Sequence, residues 1–318
     1  MKDLRIIWAA NATYSVGAGH VRRLLEIRKN LEGDIDHFFF GKLDIPWLIE
    51  LTQNYWTYIH SSANKSVRAN VVVLDSYDPI FCEQVKSYFP QAALIQIADR
   101  NCPLLSDSNV IYLDTLIGEN HILDKKNIIA FGTKFMPLRR FDLVKKEFIP
   151  IAENVIVTVG GSSNLNMNLL LEKLLLEKYK DVDFWITELD SISRKFPNNF
   201  HFFSPGEEFD KVAANCDSAI SACGTTIWDL ISNELLSGVF PLVPNQLYNF
   251  NFVVSERLAI SLMPGIESIN TASVDIQENS LDTLIFDTSV RQSIWKNLQG
   301  EYDFLGAIRT SQLIKSFL

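Results

Sequence analysis

The chain has 318 residues, of which 47% are hydrophobic and 21% charged, which excludes disorder as its main state. Its 29 Lys+Arg against 38 Asp+Glu give a formal charge of −9, so nucleic acid is not an expected partner, because phosphate backbones need a basic field. At roughly 150 residues per domain the length suggests two domains, and a chain of this size buries about three quarters of its unfolded surface without a disulfide or metal staple.

The cysteines Cys82, Cys102, Cys216 and Cys223 form no CxxC pair and no zinc-spaced cluster, and they read as reduced, mostly buried thiols. The apolar run after Met1 is too short and too soon broken by Asn11 for a signal peptide. No stretch approaches the roughly 20 apolar residues of a membrane span, so a cytoplasmic protein is expected.

In chain order, short apolar runs alternate with amphipathic stretches. Strands are expected over Arg5–Asn11, Ile35–Gly41, Asn70–Asp75, Ala93–Ala98 and Val110–Leu113, and helices over His20–Leu31, Ile45–Thr52 and Pro79–Phe89. The rhythm breaks over Gly132–Pro150, which reads as a linker, and restarts at Asn154. Strands are then expected over Asn154–Val159, Val182–Thr187, His201–Ser204, Ser218–Ser221 and Val239–Val243, with helices over Leu165–Lys178, Glu207–Ala214 and Thr226–Leu236. Ser268–Ser280 reads as a loop with a short strand, and Tyr302–Leu318 as a final amphipathic helix. Unbroken apolar strands separated by helices predict parallel sheets covered on both faces. The expected architecture is α/β: two doubly wound Rossmann-like domains, 1–140 and 141–318, facing each other across a cleft. Phe38-Phe39-Phe40 and the Trp47, Tyr55, Trp56, Tyr58 group read as strand core and helix packing.

Three glycine turns carry the chemistry. Gly17-Ala18-Gly19-His20 follows the first strand, where glycines allow a sharp turn and the next helix aims free N–H groups at an anion. Arg22 stands where the dinucleotide fingerprint has its third glycine, so NAD is not expected. His20 at the helix start suits a general base. Gly160-Gly161-Ser162 ends the first strand of the second domain, and Ser221-Ala222-Cys223-Gly224-Thr225-Thr226 precedes a helix that carries Asp229. Thr225 and Thr226 are expected to cap that helix and to offer hydroxyls to phosphate oxygens, and Asp229 to accept from a ribose diol. Asn245 and Gln246 directly after a strand suit a polar ligand, as does Tyr77 after the apolar strand ending in Asp75. Asp34-Ile35-Asp36 and Asp181-Val182-Asp183 have the spacing of a metal-binding DxD, but at helix-to-strand junctions they read as solvated turn residues.

Taken together these motifs resemble the PseG-like UDP-sugar hydrolases of pseudaminic acid biosynthesis and, more distantly, MurG-like glycosyltransferases of the GT-B fold. Gly17-Ala-Gly19-His20-Val-Arg-Arg23 is similar to GxGHxxR, Asp75-Ser-Tyr77 to D-x-Y, and Gly132 with Leu138-Arg139-Arg140-Phe141 to G…LRxxF. Gly160-Gly161-Ser162, Ser221 to Asp229, Asn245-Gln246 and Gly306-Ala307-Ile-Arg309 follow in the family's order. Asp229 replaces a family Glu, Ala98-Asp99 a family acidic pair, and Ser163-Asn164 the end of GGSDP.

The resemblance implies metal-independent hydrolysis of a UDP-sugar at the anomeric carbon, with release of UDP and no cofactor. It implies His20 as the base for water and Tyr77 as a sugar-side helper in the first domain. Gly17, Gly19 and Arg23 would contact substrate there. Gly160, Gly161, Ser162, Ser221, Gly224, Thr225, Thr226 and Asp229 would hold the nucleotide, and Asn245 and Gln246 the sugar-phosphate region. The final helix, 302–318, would pack back on the first domain. An inverting glycosyltransferase and a non-catalytic nucleotide-sugar binder are the alternatives, the former with peripheral membrane contact. A monomer or weak dimer is expected.

Overall fold

In a computed structural model the apolar runs form two parallel sheets. The structure describes residues 4–59, 68–100, 102–113, 127–141, 147–159, 174, 177–187, 196–204, 206, 208–263, 276–299 and 303–318. The chain divides into two compact units, Met1–Arg139 with Tyr302–Leu318, and Arg140–Glu301.

The first unit holds β1 (Leu4–Ala9), β2 (Ile35–Phe40), β3 (Thr57–Ile59), β4 (Val71–Leu74), β5 (Ala93–Ala98), β6 (Asn109–Tyr112) and β7 (Ile128–Phe131) in the order β3-β2-β1-β4-β5-β6-β7. Every pairing is parallel. The four residues of β4 are buried, as expected for a central strand covered on both faces. The helices α1 (Gly19–Lys29), α2 (Pro46–Thr52) and α3 (Pro79–Tyr88) supply that cover. Asp78 starts α3 by accepting from the Ile80 N–H at 2.9 Å, with Pro79 in the first turn. The Phe39 and Trp56 rings are buried and stack with centroids 5.1 Å apart, as core.

The second unit repeats the plan with β8 (Asn154–Thr158), β9 (Asp183–Thr187), β10 (Phe200–Phe203), β11 (Ser218–Ala222), β12 (Leu236–Phe240) and β13 (Ala259–Ser261), ordered β10-β9-β8-β11-β12-β13. Its helices are α4 (Glu208–Asn215), α5 (Thr226–Ser232), α6 (Leu247–Ser255), α7 (Glu278–Phe286) and α8 (Thr288–Leu298). In each unit the first strand has a neighbour on either side, so the chain leaves it in opposite directions. That crevice, at the carboxyl ends of β1/β4 and β8/β11, is where open α/β sheets bind ligands.

Several boundaries differ from the sequence reading. The helix expected over Thr226–Leu236 stops at Ser232, because Glu234 adopts a left-handed φ of 57° and the Leu235 N–H bonds back to the Leu230 carbonyl. The strand expected over Val239–Val243 is Leu236–Phe240, so it starts before Gly238 instead of after it. A Cβ on Gly238 would meet Leu262 and Leu284 side chains at 2.8–3.0 Å, so the glycine admits packing rather than ending the strand. The expected helix Leu165–Lys178 lies outside the described residues except for Leu174 and a 3-10 turn over Glu177–Tyr179. Of Ser268–Ser280, residues 268–275 lie outside them, and Glu278 already begins α7. Of the DxD acids, Asp36 pairs with Arg5 at 3.5 Å and Asp183 with His201 at 2.8 Å, and both lie in strands instead of turns.

The last helix, α9 (Gly306–Lys315), belongs to the first unit. A Cβ at Gly306 would lie 1.9 Å from the Met136 carbonyl oxygen, so only glycine allows this approach. Thr310 donates to the Phe135 carbonyl at 2.9 Å, Ser311 to Asn30 at 3.0 Å and Lys315 to Glu32 at 3.1 Å. In the second unit Arg291 of α8 is 1% exposed. It donates to Ser218 Oγ at 2.8 Å, to the Leu284 carbonyl, and through Nη2 to the Ile149 carbonyl at 2.9 Å.

A buried histidine gives the first unit an acid-sensitive point. His37 on β2 accepts the Trp8 indole N–H on Nδ1 at 3.1 Å. Burial, aided by the Arg28 charge, pulls its pKa from 6.5 to about 4. The folded value lies below the unfolded one, so this stability is present above pH 6.5 and is lost as pH falls towards 4. A drop of that size carries at most about 3 kcal/mol, brought to about 2 kcal/mol by the ring's residual solvation. Urea unfolding at about pH 7 and about pH 4.5 should show this loss in the wild type and less of it in His37→Gln, which keeps an acceptor but does not titrate.

Candidate active site

Thr13 organises the turn after β1: its carbonyl accepts the Val16 and Gly17 N–H groups at 3.1 and 2.7 Å. Gly17 then takes φ = 84°, a left-handed value that glycine adopts without strain, and the chain enters α1 at Gly19. His20 and Arg23 follow one helical turn apart, on one face, and both are buried. From the next strand over, Asp75 directly follows β4 and is fully buried. Asp99 follows β5.

These side chains form one network. His20 Nδ1 lies 2.6 Å from Asp75 Oδ1. Arg23 donates to the same carboxylate through Nη2 and Nε, at 2.7 and 2.8 Å, and through Nη1 to Asp99 Oδ2 at 3.1 Å. The Tyr77 hydroxyl donates to Asp99 Oδ2 at 2.6 Å, and its ring meets the imidazole edge-on with centroids 4.4 Å apart.

The charges follow from these contacts. Burial alone would raise the Asp75 carboxyl, but the Arg23 and His20 side chains hold it below the usual carboxylate range. Burial would likewise lower Arg23, and Asp75, Tyr77 and Asp99 reverse that and hold it well above its ordinary value. Burial, seconded by Asp99, pushes the Tyr77 phenol up, so it remains a donor. An ionised Asp75 only accepts, so the short contact to His20 requires the proton on Nδ1. Nε2 then carries the lone pair, and it has no hydrogen-bond partner among the described residues. That is the tautomer of a general base held by a carboxylate.

The structure therefore brings His20, Arg23 and Tyr77 together and adds Asp75 and Asp99, which the sequence reading did not single out as site residues. The Arg23 guanidinium spans two carboxylates, those of Asp75 and Asp99. Tyr77 Oη is committed to Asp99. Gly17 and Gly19 shape the turn and open α1.

In the second unit Gly160, Gly161 and Ser162 lie outside the described residues. Ser221 is 1% exposed and its hydroxyl donates to the Ala222 carbonyl at 2.9 Å, so it is spent within the strand. Gly224, Thr225 and Thr226 lead into α5 and are half-buried. Thr225 makes no side-chain cap, contrary to expectation: its φ/ψ of −64°/−29° is already helical, whereas a capping residue is usually extended. Neither threonine hydroxyl is hydrogen-bonded among the described residues, so both are available to a ligand. Asp229 stands half-buried in the first turn of α5. Gln246 Oε1 accepts the Leu242 N–H at 2.8 Å, and its Nε2 lies 3.5 Å from where a Gly224 Cβ would be. Asn245 is exposed. Among the described residues no group of three or more His, Cys, Asp or Glu side chains is placed to hold a metal, and no helix is long and apolar enough to cross a membrane.

No family model matches the chain. It is 27% identical over 129 residues to the pseudaminic acid cytidylyltransferase and UDP-2,4-diacetamido-2,4,6-trideoxy-beta-L-altropyranose hydrolase of Helicobacter pylori. That match covers 40% of this chain and only 24% of the relative. Among solved structures, the glycotransferase of kitacinnamycin aligns over 100% of both chains at 13% identity with a TM-score of 0.65. MnaA of S. aureus, solved with UDP, aligns over 99% of this chain and 96% of its own at 10% identity and 0.65. A ugt transferase of Siraitia grosvenorii in complex with UDP aligns over 99% and 100% at 11% identity and 0.61. Two doubly wound parallel units in one chain, matched end to end by such structures, give this protein the GT-B fold.

Proposed function

We propose that the chain is a nucleotide-sugar-processing enzyme that hydrolyses a UDP-sugar at the anomeric carbon. The observation that carries the reading is His20, held through Nδ1 by an ionised Asp75 with its Nε2 lone pair unengaged. Water gives its proton to Nε2 as its oxygen bonds to the anomeric carbon. The bond from that carbon to the phosphate oxygen breaks, and UDP leaves with the electron pair. A nucleoside diphosphate is a good leaving group, so the protein's task is to orient water and to stabilise charge on the phosphates. The Gly224 turn, with its unengaged Thr225 and Thr226 hydroxyls, is assigned to the phosphates, and Asp229 to the ribose. Gly160, Gly161 and Ser162 keep the nucleotide role that the family resemblance gives them. Support comes from the partial match to a relative named for both a cytidylyltransferase and a UDP-sugar hydrolase, and from structural neighbours solved with UDP.

The same base would serve an inverting glycosyltransferase, in which a sugar hydroxyl replaces water; the fold of the kitacinnamycin glycotransferase favours that second reading. The test is a panel of UDP-sugars without acceptor, with UDP release as the readout. Hydrolysis is expected in the wild type, and His20→Ala should slow it by about 10²- to 10⁴-fold, the usual worth of a positioned base. Release that stays negligible until a sugar acceptor is added identifies the transferase; UDP binding without turnover under either condition makes the chain a binder.

A further inference from the structure

The arginine behind the histidine has no role in the reaction as set out above, yet it is buried and held by two carboxylates. Arg23 is 9% exposed, and its Nε, Nη1 and Nη2 all reach carboxylates. It joins two strand ends, because Asp75 follows β4 and Asp99 follows β5. Its Nη2 also stands 3.1 Å from His20 Nδ1, so the imidazole and the guanidinium converge on one oxygen, Asp75 Oδ1.

A carboxylate at 2.6 Å fixes the His20 tautomer only while its oxygen faces Nδ1. The Arg23 fork holds it there, since Nη2 and Nε grip both carboxylate oxygens. The groups facing the ring among the described residues are Arg23 from α1, and Asp75 and Tyr77 from the turn after β4. Asp99, from the end of β5, acts through Arg23 and Tyr77.

We propose that Arg23 is a positioning residue: its fork across Asp75 and Asp99 aims the Asp75 carboxylate at His20 Nδ1 and so fixes the tautomer and orientation of the imidazole. Bidentate, planar donation is what lysine cannot reproduce, so both the shape and the charge of the guanidinium matter. The inference rests on the base reading of His20, but its main test needs no substrate.

The experiment follows the His20 ring by ¹⁵N NMR in the full, unliganded chain, with His20→Ala used to assign the signal. The wild-type ring is expected to show the proton on Nδ1. In Arg23→Gln the Nδ1 proton signature should give way to a mixture of both tautomers, because nothing then holds the Asp75 carboxylate against the ring. Arg23→Lys should restore it only in part, since an ammonium lacks the planar fork. Asp99→Asn, which leaves the two bonds from Arg23 to Asp75 in place, should keep it. In kinetics, with the UDP-sugar that the wild type turns over best, Arg23→Gln should lower kcat by about 10- to 100-fold with KM little changed. A ring with the same tautomer in all the variants, or a wild-type ring without the Nδ1 proton, overturns the proposal. A defect confined to KM would make Arg23 a substrate ligand instead. If Arg23→Gln does not fold, Arg23→Lys and Asp99→Asn carry the comparison. If no UDP-sugar is turned over while the ring behaves as described, the positioning role stands and the substrate assignment falls.

Discussion

Replacing Asp75 with Asn is expected to lower UDP release by about 10³-fold or more while the protein remains folded, comparable to losing the orienting carboxylate of other histidine-based sites. The reason is the tautomer. An Asn side chain can present its amide to Nδ1 only as a donor or its oxygen as a weaker acceptor, and the Arg23 fork competes for that oxygen. With the amide turned to the ring, the imidazole proton moves to Nε2 and the base disappears. Asn is nearly isosteric with Asp, so the steric cost is small. The measurement is kcat across a pH series, read beside the ring tautomer from ¹⁵N NMR. A loss below about tenfold would remove Asp75 from the base assembly and leave His20 to act alone.

Arg291→Ala is expected to destabilise the second unit by about 3–5 kcal/mol, the scale on which breaking a buried charge assembly acts. Arg291 is fully buried beneath the sheet and satisfies the Leu284 and Ile149 carbonyls and the Ser218 hydroxyl. Asp217 stands 3.8 Å away and itself accepts the Glu153 and Asn154 N–H groups at 2.8 and 2.9 Å. Truncation leaves these acceptors without their donor and opens a cavity. Arg291→Lys should recover little, since an ammonium lacks the planar fork that reaches segments 149, 218 and 284 together. Urea unfolding gives the loss, and the His20 ring signal reports whether the first unit is untouched. A change within about 0.5 kcal/mol, the range of ordinary surface substitutions, would refute the account.

Much of the fold could be read from the chain because its central strands are apolar on both faces. Val71–Leu74 and Ala93–Ala98 announce themselves without alternation, and their bounds fall within a residue of expectation. The edge strands β3 and β13, with three residues each, are too short to carry a period and were not anticipated. At the site, His20 and Tyr77 could be named because a turn and a motif mark them. Asp75 was visible only as the first letter of a turn, and Asp99 only as the remnant of an acidic pair. Their importance comes from partners 22 to 76 positions away along the chain, brought together by the β1-β4-β5 adjacency. That adjacency belongs to sheet order, which local pattern does not encode. Ser221 is the opposite case: a hydroxyl beside a glycine turn reads as a ligand, and inside β11 it is buried and donates to the Ala222 carbonyl.

The return of α9 to the first unit has a consequence for synthesis. Met136, Asn30 and Glu32 wait for contacts that are translated about 170 to 280 residues later, at the usual several residues per second. The second unit is fully emerged before that happens. The nascent first unit must therefore persist with the face that will receive Ile314 uncovered until the second unit has been synthesised.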